Sequence, residues 1–176
     1  AQGPIGLCAT AGARLLGATT IIAVDGNDHR LGIAQKMGAD VTLNFKNCDV
    51  IDEIMKITGG RGADSAIEAL GTQATFESAL RSIKPGGTLS SLGVYSEDLK
   101  IPLSAFAAGL GDHKINTALC PGGKERMRRL MNVLASNRLD LGLLVTHQYK
   151  LDDIVAAYDL FAHQRDGVLK VAIKPQ

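Results

Sequence analysis

A rhythm constrains this chain more than any single residue does. Short apolar runs, many of them β-branched, alternate with helix-length segments, and glycines stand between them. The pattern predicts strands over 19–24, 41–44, 64–69, 88–94, 113–119, 145–149 and 168–174. Helices are expected over 4–16, 28–37, 49–57, 75–83, 124–137 and 151–163, stopped in places by Gly17, Gly38 or Pro85-Gly86-Gly87. Strands so short and apolar are covered on both faces. Their alternation with helices predicts an α/β fold of the Rossmann type, a doubly wound parallel sheet. The first helix is expected to bury Ile5, Cys8, Ala9, Ala13 and Leu16. The helix at 124–137 carries Lys124, Arg126, Arg128 and Arg129 on a solvated face, with Met127, Leu130, Met131 and Leu134 as its core side.

Composition removes several classes of function. Nineteen basic and eighteen acidic residues leave a net charge of +1, so there is no electrostatic footprint for nucleic acid or a membrane surface. Aromatic residues are 4% of the chain, with no Trp, too few for base-stacking platforms. Cys8, Cys48 and Cys120 are an odd number without CxxC spacing, which fits a reducing cytoplasm better than a disulfide framework. The four histidines form no HxH or HxxxH pair, so no local metal cluster can be built on them. No apolar run is long enough to span a bilayer.

The opening residues, Ala1-Gln2-Gly3-Pro4-Ile5-Gly6, nearly fit G-x-G-x-x-G, with Ala1 at the first glycine position. In that motif the second glycine admits a pyrophosphate close to the backbone. The third lets the helix pack tightly, and free N–H groups at the helix start face the phosphates. A plain strand-to-helix turn is the other reading of these six residues. Asp25 follows Gly6 at the end of the next apolar run, where a carboxylate would take the adenosine ribose hydroxyls. It could also be a turn or cap carboxylate ahead of Asp28. As a ribose ligand it favours NAD over NADP. A 2′-phosphate within about 4 Å would be repelled by about 4 kcal/mol at an effective dielectric near 20, before salt screening. Arg30 works the other way, since a guanidinium can hold a phosphate.

Taken in order, the motifs resemble the coenzyme domain of medium-chain, zinc-dependent alcohol dehydrogenases. They are Gly3-Pro4-Ile5-Gly6-Leu7, Ile21-Ile22-Ala23-Val24-Asp25, Lys36-Met37-Gly38-Ala39-Asp40, Gly60-Arg61-Gly62-Ala63-Asp64, Ile67-Glu68-Ala69-Leu70-Gly71 and Ile83-Lys84-Pro85-Gly86-Gly87. Leu119-Cys120-Pro121-Gly122-Gly123 and Leu144-Val145-Thr146-His147 are similar to the bacterial secondary alcohol dehydrogenase branch. The resemblance implies a pyrophosphate loop at Gly3, Pro4, Ile5 and Gly6, and ribose contacts at Asp25 and Arg30. It places Ala69, Leu70 and Gly71 beside the cofactor, and Leu92, Gly93 and Val94 at the nicotinamide carboxamide. Leu119 and Cys120 fall at a domain junction near the nicotinamide. Lys170 reaches back to the pyrophosphate, or is simply a solvated strand charge. No catalytic residue and no metal ligand is assigned; Cys8 is expected to be a buried helix residue, Cys48 a loop thiol and Cys120 a pocket-edge residue.

The resemblance also implies a division at 1–118, the dinucleotide-binding domain, and 119–176, a C-terminal helix and the return segment of a catalytic domain. The family's N-terminal catalytic domain, its zinc ligands and the first strand of a 3-2-1-4-5-6 sheet lie outside this chain. It is therefore expected to be the C-terminal piece of a longer enzyme and inactive alone, and its sheet is expected to be split unless another segment fills the gap. The intact enzyme is expected to move a hydride between a small secondary alcohol or ketone and NAD, with zinc polarising the oxygen, as a cytoplasmic homo-oligomer (dimer or tetramer). A non-catalytic dinucleotide-sensing module and a zinc-free quinone reductase of the same superfamily are the alternatives. The Tyr-x-x-x-Lys pair of short-chain dehydrogenases is absent, because Tyr95, Tyr149 and Tyr158 are followed four places on by Leu99, Asp153 and Ala162.

Overall fold

The computed structural model of the protein describes residues 1–175. Helix α1 (Pro4–Leu15) starts on Pro4, whose missing N–H has no partner to lose in a first turn. Strand β1 (Ile22–Asp25) pairs in parallel with β2 (Val41–Asn44), and α2 (Asp28–Lys36) crosses between them. Asn27 caps α2, its Oδ1 accepting the N–H groups of His29 and Arg30. Helix α3 (Val50–Ile57), capped in the same way by Asp49, leads to β3 (Ala63–Glu68). Strands β3, β4 (Ile83–Ser91) and β5 (Lys114–Thr117) make a second parallel sheet, with α4 (Gln73–Ser82) between the first two. Beyond α5 (Lys124–Ala135), β6 (Val145–Lys150) and β7 (Lys170–Lys174) pair in parallel across α6 (Ile154–Ala162).

The doubly wound order is thus present in pieces, β1–β2 and β3–β4–β5. Among the described residues no ladder joins β1 to β3. The break falls where the sequence reading puts the missing first strand of the sheet. Each sheet has its own apolar cluster. One holds Leu7, Ala11, Ile21, Ala23, Leu31, Ile33, Ala34, Met37 and Ala39, and it takes in Leu144 and Leu169 from the C-terminal part. The other holds Phe76, Leu80, Ile83, Leu89 and Ala105. Arg14 fixes α1 against the first sheet, donating to the Gly38 carbonyl and pairing with Asp40.

Several expectations need correcting. The strand expected from residue 88 starts at Ile83. Pro85-Gly86-Gly87 lies inside β4, where the register against β3 shifts. A bulge tolerates a proline there because no ladder N–H is required of it. Helix α1 buries Gly6, Leu7, Thr10 and Ala11 instead of the predicted face; Ile5 is 57% exposed and Leu16 91%. The helix is small or apolar almost all round, so periodicity did not select a side. Thr10 goes inward because its hydroxyl donates to the Gln2 side-chain oxygen at 3.0 Å. Cys8 is exposed, not buried, for the same rotation of the helix. Helix α5 forms where expected, but none of its residues is buried, and Met127 is 61% exposed.

Leu7 and Leu89 are completely buried, one in each apolar cluster. Each Leu→Ala substitution is expected to lower unfolding stability by about 2–5 kcal/mol. The double variant should lose the sum of the two to within about 0.5 kcal/mol, as expected of sites that share no partner. Urea denaturation of the three variants measures this, and strong coupling would show that the clusters act as one.

Candidate functional site

The carboxyl ends of β1, β3 and β4 and the start of α1 carry most of the residues singled out above. At the start of α1 no side chain caps the helix; Gly3 occupies the cap position with extended backbone. A Cβ at Gly3 would point into open space, whereas one at Gly6 would overlap the Ala1 carbonyl. These are two different uses of glycine. Gly6 brings the helix against the preceding backbone, and Gly3 leaves open space, a candidate cradle, in front of first-turn N–H donors that no side chain caps. Uncapped donors and the positive end of a 12-residue helix suit an anion.

Asp25 closes one side of this cradle. It is 6% exposed. Its Oδ2 accepts the Gln2 backbone N–H at 2.6 Å and its Oδ1 that of Asn27 at 2.9 Å. The carboxylate therefore ties the glycine turn to the end of β1, and its remaining lone pairs are what a diol could use. The end of β1 is thus joined to the opening turn. Arg30 stands in the first turn of α2.

The other side is built around Glu68, the last residue of β3, which the sequence reading did not single out. It is 2% exposed. Its Oε1 accepts the N–H groups of Leu70 at 2.7 Å and Gly71 at 2.9 Å, and the Thr75 hydroxyl at 2.8 Å. Its Oε2 accepts the Tyr95 hydroxyl at 2.8 Å and, at 3.4 Å, that of Ser91. Thr75 also completes the capping box of α4 with Thr72, so the start of that helix is locked to the same carboxylate. Gly71 adopts φ +95°, and a Cβ there would strike the Val94 backbone; one at Gly93 would strike Gly71 and the Glu68 carboxylate. Ala69-Leu70-Gly71 and Leu92-Gly93-Val94 are thereby pressed together, backbone on backbone. In the sequence Glu68 stands only inside the motif Ile67-Glu68-Ala69-Leu70-Gly71, with no role of its own.

Burial by itself would raise the Glu68 carboxyl, but the bonds from Gly71, Tyr95, Leu70 and Thr75 outweigh it and hold the group below the usual carboxylate range. Tyr95 is pushed up to about 12, first by burial and then by its bond to Glu68 and that carboxylate's charge, against the opposing bond from Ser91.

The remaining predicted residues lie further out. Leu119 and Cys120 are exposed in the segment that leaves the carboxyl end of β5. Lys170 opens β7 and is exposed, and its charge reaches Cys8 on α1. Desolvation raises the Cys8 thiol more than Lys170 lowers it, so Cys8 is no activated nucleophile. Among the described residues no group of three His, Cys, Asp or Glu could hold a metal ion. No helix among them is long and apolar enough to cross a membrane.

Comparison with known proteins places the chain in a family. A family described as zinc-binding dehydrogenase matches residues 4–136. The chain is 85% identical over 175 residues to an alcohol dehydrogenase of Cupriavidus necator, covering 99% of this chain and 48% of that protein. It is 35% identical over 174 residues to the NADP-dependent isopropanol dehydrogenase of Thermoanaerobacter brockii, covering 97% of this chain and 49% of that protein. Among solved structures it superposes on zinc dependent alcohol dehydrogenase 2 of Streptococcus pneumonia with a TM-score of 0.90 at 32% identity, covering 99% of this chain and half of that one. The chain spans about half the length of the curated relatives it matches.

The Glu68–Tyr95 cluster has a pH signature with two edges. A depressed carboxyl contributes stability above the ordinary Glu range of about 4.3, lost as pH falls through its folded value. A raised phenol contributes stability below about pH 10, lost as pH rises toward about 12. The stability difference between the chain and Tyr95→Phe should stay flat through neutral pH and shrink between these alkaline limits. Denaturant unfolding across pH checks this, and a difference that does not shrink would contradict the raised phenol.

Proposed function

We propose, on the premise that the chain belongs to the zinc-binding dehydrogenase family, that it binds a nicotinamide dinucleotide and supplies the coenzyme half of an alcohol oxidoreductase. The observation that carries this reading is the open cradle at Gly3, set before the uncapped start of α1 and closed on one side by the buried Asp25. Gly3, Pro4, Ile5 and Gly6 would take the pyrophosphate, with Lys170 reaching it from β7. Asp25 and Arg30 would hold the adenosine ribose. The two glycine-joined segments, 69–71 and 92–94, would flank the nicotinamide, with Leu119 and Cys120 at the mouth. In this reading residues 1–118 are the nucleotide-binding part and 119–176 a C-terminal helix and return segment.

The chain's own contribution is binding and orientation. The helix start and Asp25 hold the two ends of the ADP moiety apart, and the braced 69–71 and 92–94 backbones keep a ring from rotating. Holding reactants in place is worth several kcal/mol of a barrier. When bound, the nicotinamide supplies a hydride acceptor or donor at its C4. The residues described here do not form a zinc site, and no step is assigned to that metal on this chain. The relatives' names support an alcohol or ketone as the substrate of the whole protein, and the isopropanol dehydrogenases favour a small secondary alcohol. The family resemblance supports a homo-oligomer, and the unpaired cysteines support a cytoplasmic setting.

On coenzyme choice the proposed reading departs from the names of those isopropanol dehydrogenases. They are named NADP-dependent. Asp25 puts a buried carboxylate where a 2′-phosphate would bring a second negative charge, and this supports NAD. Calorimetric titration of the chain is expected to give NAD at least about tenfold tighter binding than NADP. Asp25→Ser, checked for retained fold by circular dichroism, should narrow that gap. Tighter NADP binding would overturn the assignment of NAD, and absence of binding by either would overturn the dinucleotide site.

A further inference from the structure

The Glu68 carboxylate is surrounded by neutral donors only: two amide N–H groups and three hydroxyls. Among the described residues no Lys, Arg or His side chain pairs with it. Neutral donors stabilise a carboxylate without cancelling its charge, so the site retains a fixed negative charge in a region shielded from water. Burying such a group is costly, and a bare structural brace could have been made without it. A carboxamide could bridge the same loops with no net charge.

We propose that Glu68 is a positioning residue whose fixed negative charge biases the site toward the oxidised, cationic nicotinamide over the reduced, neutral one. The inference rests on the dinucleotide reading above, and in particular on 69–71 and 92–94 flanking the ring. Glu68 contacts both segments directly: it holds the N–H groups of Leu70 and Gly71 through its side chain and accepts the Leu92 N–H on its backbone carbonyl at 2.8 Å. If the ring lies between those segments, a fixed charge about 10 Å away separates electrostatically the two forms of a ring that gains or loses a full positive charge. At an effective dielectric near 20 that separation is about tenfold in affinity. The brace acts on both forms alike, whereas the charge acts on one.

The test compares NAD+ and NADH binding to the unaltered chain, to Glu68→Gln and to Tyr95→Phe. Calorimetry follows NAD+ and nicotinamide fluorescence follows NADH. Glu68→Gln is expected to weaken NAD+ about tenfold while NADH changes less than about twofold. Tyr95→Phe loosens the same wall but leaves the charge, so it should move both forms equally. Equal weakening of both forms by Glu68→Gln would overturn the inference while leaving the dinucleotide site intact. If Glu68→Gln does not fold, Tyr95→Lys, which sets a cation beside the Glu68 carboxylate, decides: weakening of NAD+ by several-fold more than NADH upholds the inference, and equal weakening of both forms overturns it. If the unaltered chain binds neither form, the dinucleotide reading fails and this inference fails with it.

Discussion

A carboxylate removed from water has to be met by donors, and this requirement organises the candidate site. Asp25 and Glu68 both stand at the last position of a strand, and both are almost wholly buried. Each is met by the backbone of the loop that follows its strand, Asn27 in one case and Leu70 and Gly71 in the other. Each then reaches one element further: Asp25 to Gln2 before α1, and Glu68 to Tyr95 beyond β4. Two loops that would otherwise sample many conformations are pinned by charge-assisted bonds, which are stronger than neutral ones. The glycines make this possible by close approach. Gly71 and Gly93 leave no room for a side chain between the loops that Glu68 ties together.

The alternation of strands and helices was legible because it rests on short-range rules that survive any tertiary context. Helix starts at Asn27 and Asp49 are of this kind: a side-chain oxygen caps the next turn wherever the chain is placed. The glycine turn and Asp25 were legible because their spacing encodes a local geometry. The buried face of α1 was not, since Ile5, Leu7, Cys8 and Ala11 are all apolar or small and the choice among them lies with Thr10 and its partner Gln2. Glu68 was passed over for a related reason. Its importance depends on Tyr95 and Ser91, 27 and 23 residues away, and no window along the chain contains all three. A proline inside β4 was misplaced because a bulge is a property of two strands, not of one.

Helix α5 shows a different case: the helix forms where the pattern puts it, but its expected core side is not buried among the described residues. Its salt bridges from Glu125 to Arg128 and Arg129 make a solvated face, and Met127, Leu130 and Met131 make an apolar one. The amphipathic signal is present, yet the apolar side stays open. Amphipathicity states that a helix has something to bury and does not say against what.

The separation of the apolar interior into two clusters bears on how the molecule opens. Amide hydrogens of β1 and β2 are guarded by one cluster and those of β3, β4 and β5 by the other, so their deuterium uptake need not share a single protection energy. A ligand gripped at Asp25 and at Gly71 together would span that seam and act as a non-covalent staple. It would bring two breathing units onto one clock.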